Sequence, residues 1–192
     1  MKPAPHPATT VAEDRGPALL AHARGAIHEA LGGPALGRPV QDWFFEPAAC
    51  FVTLTQGGEL RGCIGSLVAH RPLHEDLRAN ALAAAFTDPR FPPLSRFELD
   101  AVRVEVSLLS PLESLEFSSE AELLAQLRPG VDGVVLSYRH LRGTFLPQVW
   151  EELPDPRDFL AHLKRKAGLP AVFWPEGMEA QRYTVSKWRE TP

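Results

Sequence analysis

One order of elements, helix–hairpin–helix–strand, can be read twice along this chain, and that repetition constrains the fold more than any other feature. In the first pass, Leu19, Leu20, Ala23, Ile27 and Ala30 stand at helical spacing between Pro17 and Leu31, and Gly32-Gly33-Pro34 stops the helix. Cys50 to Thr55 and Leu60 to Leu67 read as strands joined through Gln56-Gly57-Gly58-Glu59, whose glycine pair accepts the positive φ of a tight hairpin turn. Leu73 to Phe86 is an Ala/Leu-rich helix opened by Pro72 and ended by Asp88-Pro89. Ala101 to Leu109 alternates, with Val102, Val104, Val106 and Leu108 on one face and Arg103, Glu105 and Ser107 on the other, which is the pattern of a half-buried strand.

The second pass keeps that order. Ser119 to Leu127 is a helix with Ser118 or Ser119 as cap and Glu122 as the capping-box carboxylate. Val134 to Tyr138 and Leu141 to Leu146 are strands, Asp155 to Ala167 is a helix followed by Gly168, and Arg182 to Trp188 is a final strand. Leu60-Arg61-Gly62 and Leu141-Arg142-Gly143 open the second strand of each hairpin, as an internal duplication would leave them. The expected fold is α+β, with two related subdomains built on antiparallel sheet, covering residues 17–112 and 113–192 behind a mobile tail at 1–16.

Charge and cysteine content narrow the function classes. A net charge of −4 speaks against nucleic acid, because phosphate binding needs surplus Lys and Arg. Two cysteines without paired spacing give neither a disulfide framework nor a zinc knuckle. No stretch is long and apolar enough to span a bilayer, and the Pro/Ala-rich start has no signal-peptide core, so a cytoplasmic location is expected. No Walker loop, dinucleotide fingerprint, nucleophile elbow or zincin motif occurs, so no metal ligands are assigned and the sequence leaves any cofactor open. His70 and His74 stand four apart, but Pro72 intervenes and no third ligand accompanies them, which reads as an exposed pair. Lys164-Arg165-Lys166 at a helix end reads as charge complementing the dipole.

A series of short motifs carries a family resemblance. They are Leu60-Arg61-Gly62-Cys63-Ile64-Gly65, Pro72-Leu73, Ala83-Ala84-Ala85-Phe86 and Asp88-Pro89-Arg90-Phe91-Pro92-Pro93-Leu94. Glu105-Val106-Ser107-Leu108-Leu109-Ser110-Pro111, Gly130-Val131-Asp132-Gly133, Phe145-Leu146-Pro147-Gln148-Val149-Trp150 and Lys164-Arg165-Lys166-Ala167-Gly168-Leu169-Pro170 follow. In this order they resemble the AMMECR1 domain family, as in protein A of the AmmeMemoRadiSam system. The resemblance implies an α+β fold of two subdomains and, as partners, a Memo-like protein and a radical-SAM protein. It implies no settled reaction. Asp132 stands where some members of the family carry His, so no role for a histidine transfers to that position.

Within the hallmark, Cys63 is the candidate catalytic residue. With a two-residue turn at Gly57-Gly58, Leu54 falls opposite Arg61 and Val52 opposite Cys63, which puts Arg61, Cys63 and Gly65 on one face with Cys50, Val52 and Leu54. Cys50 would then lie diagonal to Cys63, about 7–8 Å away, whereas a disulfide needs β-carbons within about 4.5 Å. As a reactive thiolate, Cys63 would be helped by the Arg61 guanidinium, with Gly62 and Gly65 leaving backbone open to a ligand. As a structural residue it would be a small buried hydrophobe. Asp88, Arg90, Glu105, Ser107 and Gln148 are the further candidate ligand-binding residues, the first two on a loop that Phe91 would anchor in the core. Three function classes remain: a thiol enzyme or enzyme subunit, a non-catalytic binding module for the implied partners or their small molecule, and a nucleic-acid binder.

Overall fold

The computed structural model describes residues 15–37 and 39–191. The tail expected at 1–16 lies outside the described residues up to Asp14, and a helix already begins at Gly16. Four α-helices and eight strands are described: α1 (Gly16–Ala30), β1 (Cys50–Gln56), β2 (Glu59–Gly65), α2 (Leu73–Phe86), β3 (Val102–Leu109), β4 (Glu113–Leu115), α3 (Glu120–Gln126), β5 (Gly133–Tyr138), β6 (Leu141–Phe145), α4 (Pro156–Lys166), β7 (Glu179–Tyr183) and β8 (Val185–Arg189). They form two four-stranded sheets, ordered β2-β1-β3-β8 and β4-β7-β5-β6, in an α+β fold built on antiparallel pairing.

The local signals act as their chemistry requires. Ser119 caps α3 by accepting from the Glu122 amide, while the Glu122 carboxylate accepts from the Ser118 amide. Asp155 caps α4 through the Arg157 amide, and Gly168 takes the positive φ that ends it. Gly57 and Gly58 both have positive φ in the first hairpin, and Arg139 adopts the same region in the second.

Two compact units result, residues 1–109 with 186–192 and residues 110–185. In the first, α1 and α2 cover one side of β1 and β3, around Leu19, Ile27, Val52, Leu54, Leu77, Val104 and Val106. In the second, α4 packs on the hairpin β5–β6, with Trp150 stacked on Phe159 at 3.7 Å and Leu136, Leu160 and Leu163 wholly buried. Lys164 is not at the surface as a helix-end charge: it is 1% exposed, bonded to Glu120 at 2.8 Å and set over the Trp174 ring.

The repeat is visible in the sheets. Each hairpin's first strand pairs with the strand after the second helix, and each hairpin carries its Leu-Arg-Gly on the edge strand. Gly62 faces Ala84 near the end of α2, and Gly143 faces Ala167 at the end of α4, so both glycines admit the following helix close to the sheet. The single final strand expected at Arg182–Trp188 is instead two, broken at Thr184. Thr184 exchanges bonds with Ser110: its amide donates to Ser110 Oγ at 3.0 Å and its carbonyl accepts from the Ser110 amide at 2.9 Å. β7 pairs beside β5, and β8 pairs beside β3. The short β4, which follows β3 directly, pairs beside β7. β8, which follows β7, thus borders the first sheet, and β4, which follows β3, borders the second.

Candidate functional site

The register of the first hairpin decides which way Cys63 points, and it differs from the expected one. Gln56 pairs with Glu59 and Thr55 with Leu60, but Leu54 pairs with Gly62, leaving Arg61 as the extra residue of a β-bulge. The slip of one residue exchanges the faces. Cys63 is opposite Thr53 rather than Val52, and it lies on the side away from Cys50, Val52 and Leu54, each 0% exposed in the core. Gly62 and Ile64 take the core side. The second hairpin has no bulge: Gly143 pairs with Leu136 and Arg142 with Ser137. The bulge is therefore what distinguishes the hallmark hairpin from its copy.

Cys63 is half-buried and Cys50 buried, and both are free thiols. Thr53 Oγ1 donates to Cys63 Sγ at 3.4 Å. Thr53 also pairs with Glu105 on β3, and Glu105 is bonded to Arg189 on β8 at 2.9 Å. A polar row thus crosses the first sheet: Cys63, Thr53, Glu105, Arg189. Ser107, opposite Phe51, belongs to the same face and is 8% exposed.

β2 is an edge strand, and its outward backbone groups at Cys63 are taken by one loop. Asp88 Oδ2 accepts from the Cys63 amide at 2.9 Å, and Arg90 Nη2 donates to the Cys63 carbonyl at 3.2 Å. Asp88 and Arg90 are also paired with each other at 2.7 Å. Arg90 and the Cys63 amide hold the buried Asp88 carboxyl well below the usual carboxylate range. These two residues act as a clamp that fixes the cysteine's backbone.

Arg61 does not sit free beside the thiol. Its Nε donates to Glu98 at 2.9 Å, and its guanidinium lies 6.0 Å from the Phe91 ring centroid, with Arg90 at 5.5 Å from the same ring. Phe91 is accordingly half-buried between two cations rather than a plug in the core. Arg61 Nη1 is buried without an acceptor among the described residues. The Arg61 pair, aided by Ser95, lowers Glu98 to about 2. A carboxylate depressed on folding stabilises above its ordinary value and loses that contribution as pH falls through the folded value. The stability difference between wild type and Glu98→Gln should therefore be constant above pH 4.5 and vanish progressively toward pH 2, as measured by urea titrations at several pH values.

The two hallmark glycines do not leave open backbone. A β-carbon on Gly62 would overlap the Ala84 carbonyl oxygen, and one on Gly65 would overlap the Phe51 ring. Both are packing glycines. Gln148 is exposed on a 3₁₀ turn of the second unit, and Asp132, in the same unit, is wholly buried and held by Arg128 at 2.6 Å. His70 and His74 contact separate backbone carbonyls, those of Val68 and Phe44. Among the described residues no group of three His, Cys, Asp or Glu side chains could hold a metal ion, and no helix is long and apolar enough to cross a membrane.

A buried polar cluster beneath the hairpin escaped sequence reasoning. Asp76 is 0% exposed and accepts from the Cys50 amide, Asn80 Nδ2 at 2.9 Å, Ser66 Oγ at 2.8 Å and Arg71 at 2.8 Å. Burial and the Asp76 carboxylate push the Cys50 thiol far up, which makes it inert. Ser66 and Arg71 belong to the loop after β2, so the cluster ties that loop to α2. The spacing of Asp76 and Asn80 was the available signal. They fall with Leu73, Leu77, Ala81 and Ala84 on the buried stripe of α2, where unpaired polar groups are costly.

The family model described as AMMECR1 matches residues 20–188. Protein MJ0810 of Methanocaldococcus jannaschii is 38% identical over 182 residues, covering 92% of this chain and 90% of that protein. A protein of Methanothermobacter thermautotrophicus is 43% identical over 164 residues, covering 83% and 85%. The crystal structure of an uncharacterized protein, PH0010 from Pyrococcus horikoshii, is similar with a TM-score of 0.74 at 35% identity, covering 92% of each chain.

Proposed function

Because the chain belongs to the AMMECR1 family, we propose that the polar face around Cys63 is a small-molecule site and that the Cys63 thiol is the group that meets the ligand. The bulge at Arg61 carries this reading. It spends one residue of an otherwise regular hairpin, and its effect is to turn the sulfur out of the core and into line with Thr53 and Glu105. The second hairpin does without it. Bulges of this kind re-aim side chains at functional sites. The orphaned Nη1 of Arg61 supports the same reading, since an oxygen of a ligand would give it an acceptor.

Binding is the part of this reading with most support. The groups around the sulfur are already engaged: Asp88 and Arg90 with the backbone and each other, Arg61 with Glu98, Glu105 with Arg189. Thr53 donates to the sulfur rather than accepting from it. A second reading, in which Cys63 is a nucleophile, rests on the same outward turn of the thiol. The Memo-like and radical-SAM proteins implied by the family resemblance are the proposed suppliers or consumers of the ligand.

Alkylation of the native protein with iodoacetamide, followed by peptide mapping, tests the site. Cys63 should be modified while Cys50 is spared, and Cys50 should react only after denaturation. Modification of Cys63 only after denaturation would remove the site. Co-purification with the two implied partners should survive Cys63→Ser if the role is binding alone.

A further inference from the structure

We propose that an open groove of about 930 Å³ in the first unit, away from Cys63, binds a small molecule that combines a planar aromatic ring with one phosphate or carboxylate group. The groove runs between α1, from Gly16 to His28, the segment from Leu99 to Arg103, and the strand β8 with the residues after it. No residue of the Arg61–Gly65 hallmark lines it.

Charge is the first argument. Four cationic side chains line the groove, Arg24, Arg103, Lys187 and Arg189, against two carboxylates, Asp100 and Glu190. Four minus two leaves a local +2 on a chain whose net charge is −4. Two of the four cations are spent. Arg24 is locked to Glu190 and to the carbonyls of Leu99 and Val102, and Arg189 is bonded to Glu105. Arg103 bonds only the Asp100 and Val102 carbonyls, and neither it nor Lys187 has a carboxylate partner among the described residues. Two such cations match one anionic group, and they are too few to track a nucleic-acid backbone.

Trp188 supplies the second argument. Its indole rests on Gly16, where a β-carbon would overlap the ring, and the half-buried ring lines the groove beside Lys187. A fixed aromatic surface offers stacking that tolerates many planar rings. The volume fits a single small molecule, since such sites span roughly 300–1,000 Å³. A rigid ring and two available cations lining one groove select for both halves of the ligand at once.

Indole N–H signals in a two-dimensional ¹⁵N spectrum read this directly, because the chain has four tryptophans and Trp188→Phe assigns the relevant one. Adenosine 5′-monophosphate probes the phosphate class and indole-3-acetate the carboxylate class. At least one should displace the Trp188 signal saturably, with a Kd below about 1 mM. Adenosine or inorganic phosphate alone should bind roughly tenfold more weakly or worse. Lys187→Glu and, separately, Arg103→Gln should each weaken binding by about tenfold, with the other three indole signals in place as the control for folding. Cys63→Ser should leave the titration unchanged, which separates this groove from the thiol site. A Trp188 signal unmoved by both probes, or binding undiminished in both charge variants, overturns the proposal.

Discussion

Asp76→Ala should be the most damaging single substitution in the first unit, at about 3–5 kcal/mol, because it removes the acceptor that four donors share in a buried cluster. The carboxylate is wholly enclosed and receives Asn80, Ser66, Arg71 and the Cys50 amide. Removing it leaves the Asn80 amide and the Cys50 N–H partly unpaired in a region that water does not reach. It also frees Arg71 and the loop after β2. Asp76→Asn keeps one acceptor oxygen but turns an NH₂ toward other donors, so it should recover only part of the loss. Because the two units need not unfold together, the measurement needs a local probe. Trp43 and Trp188 belong to the first unit, and Trp150 and Trp174 to the second. Urea unfolding followed through variants that retain only one pair should place the loss in the first. A cost under about 1 kcal/mol, the worth of one ordinary hydrogen bond, would mean the cluster is hydrated.

Gly62→Ala should come next, at roughly 3 kcal/mol or more, the upper range for an overpacked core. The added methyl would overlap the Ala84 carbonyl oxygen and lie 3.0 Å from its carbonyl carbon. That obstacle is helix backbone, approached more closely than anything a β-carbon on Gly143 would meet. Gly143→Ala is the built-in control. Its methyl would meet Ala167 at 2.9 to 3.1 Å, at the very end of α4, where a few tenths of an ångström can be given up. The first substitution should therefore cost the first unit at least about twice what the second costs the other. Equal costs in paired thermal or urea unfolding experiments would contradict the close approach of α2 to β2.

Periodicity and punctuation carried most of the architecture. The alternation of Val102, Val104 and Val106 against Arg103 and Glu105 identified β3 and its core face, and the three valines are 0% exposed. Ser119, Asp155 and Gly168 marked helix ends because their side chains or backbones do local chemistry. What sequence could not convey depends on partners distant along the chain. β4 is only three residues long and owes its form to pairing with β7. The break at Thr184 comes from Ser110, seventy-four positions away. For the candidate site, the residues beyond the turn were assigned to the wrong face. Counting from the turn assumes an unbroken ladder, and one bulge inverted every side chain beyond it. The duplicate held the missing clue. Gly143 stands opposite the core residue Leu136, so its counterpart Gly62 had to stand opposite Leu54, and that demands one surplus residue before it.

The exchanged strands also set an order of events at the ribosome. β8 and Glu190, which Arg24 and the Val104 amide hold in place, are synthesised only after the second unit. A nascent chain that has already emerged through β3 still lacks one border of its first sheet. It must wait for the whole second unit to be translated before that border can be laid down. The second unit, by contrast, has all its strands once β7 has cleared the exit tunnel. It can close first, so the part of the protein made later can be finished earlier.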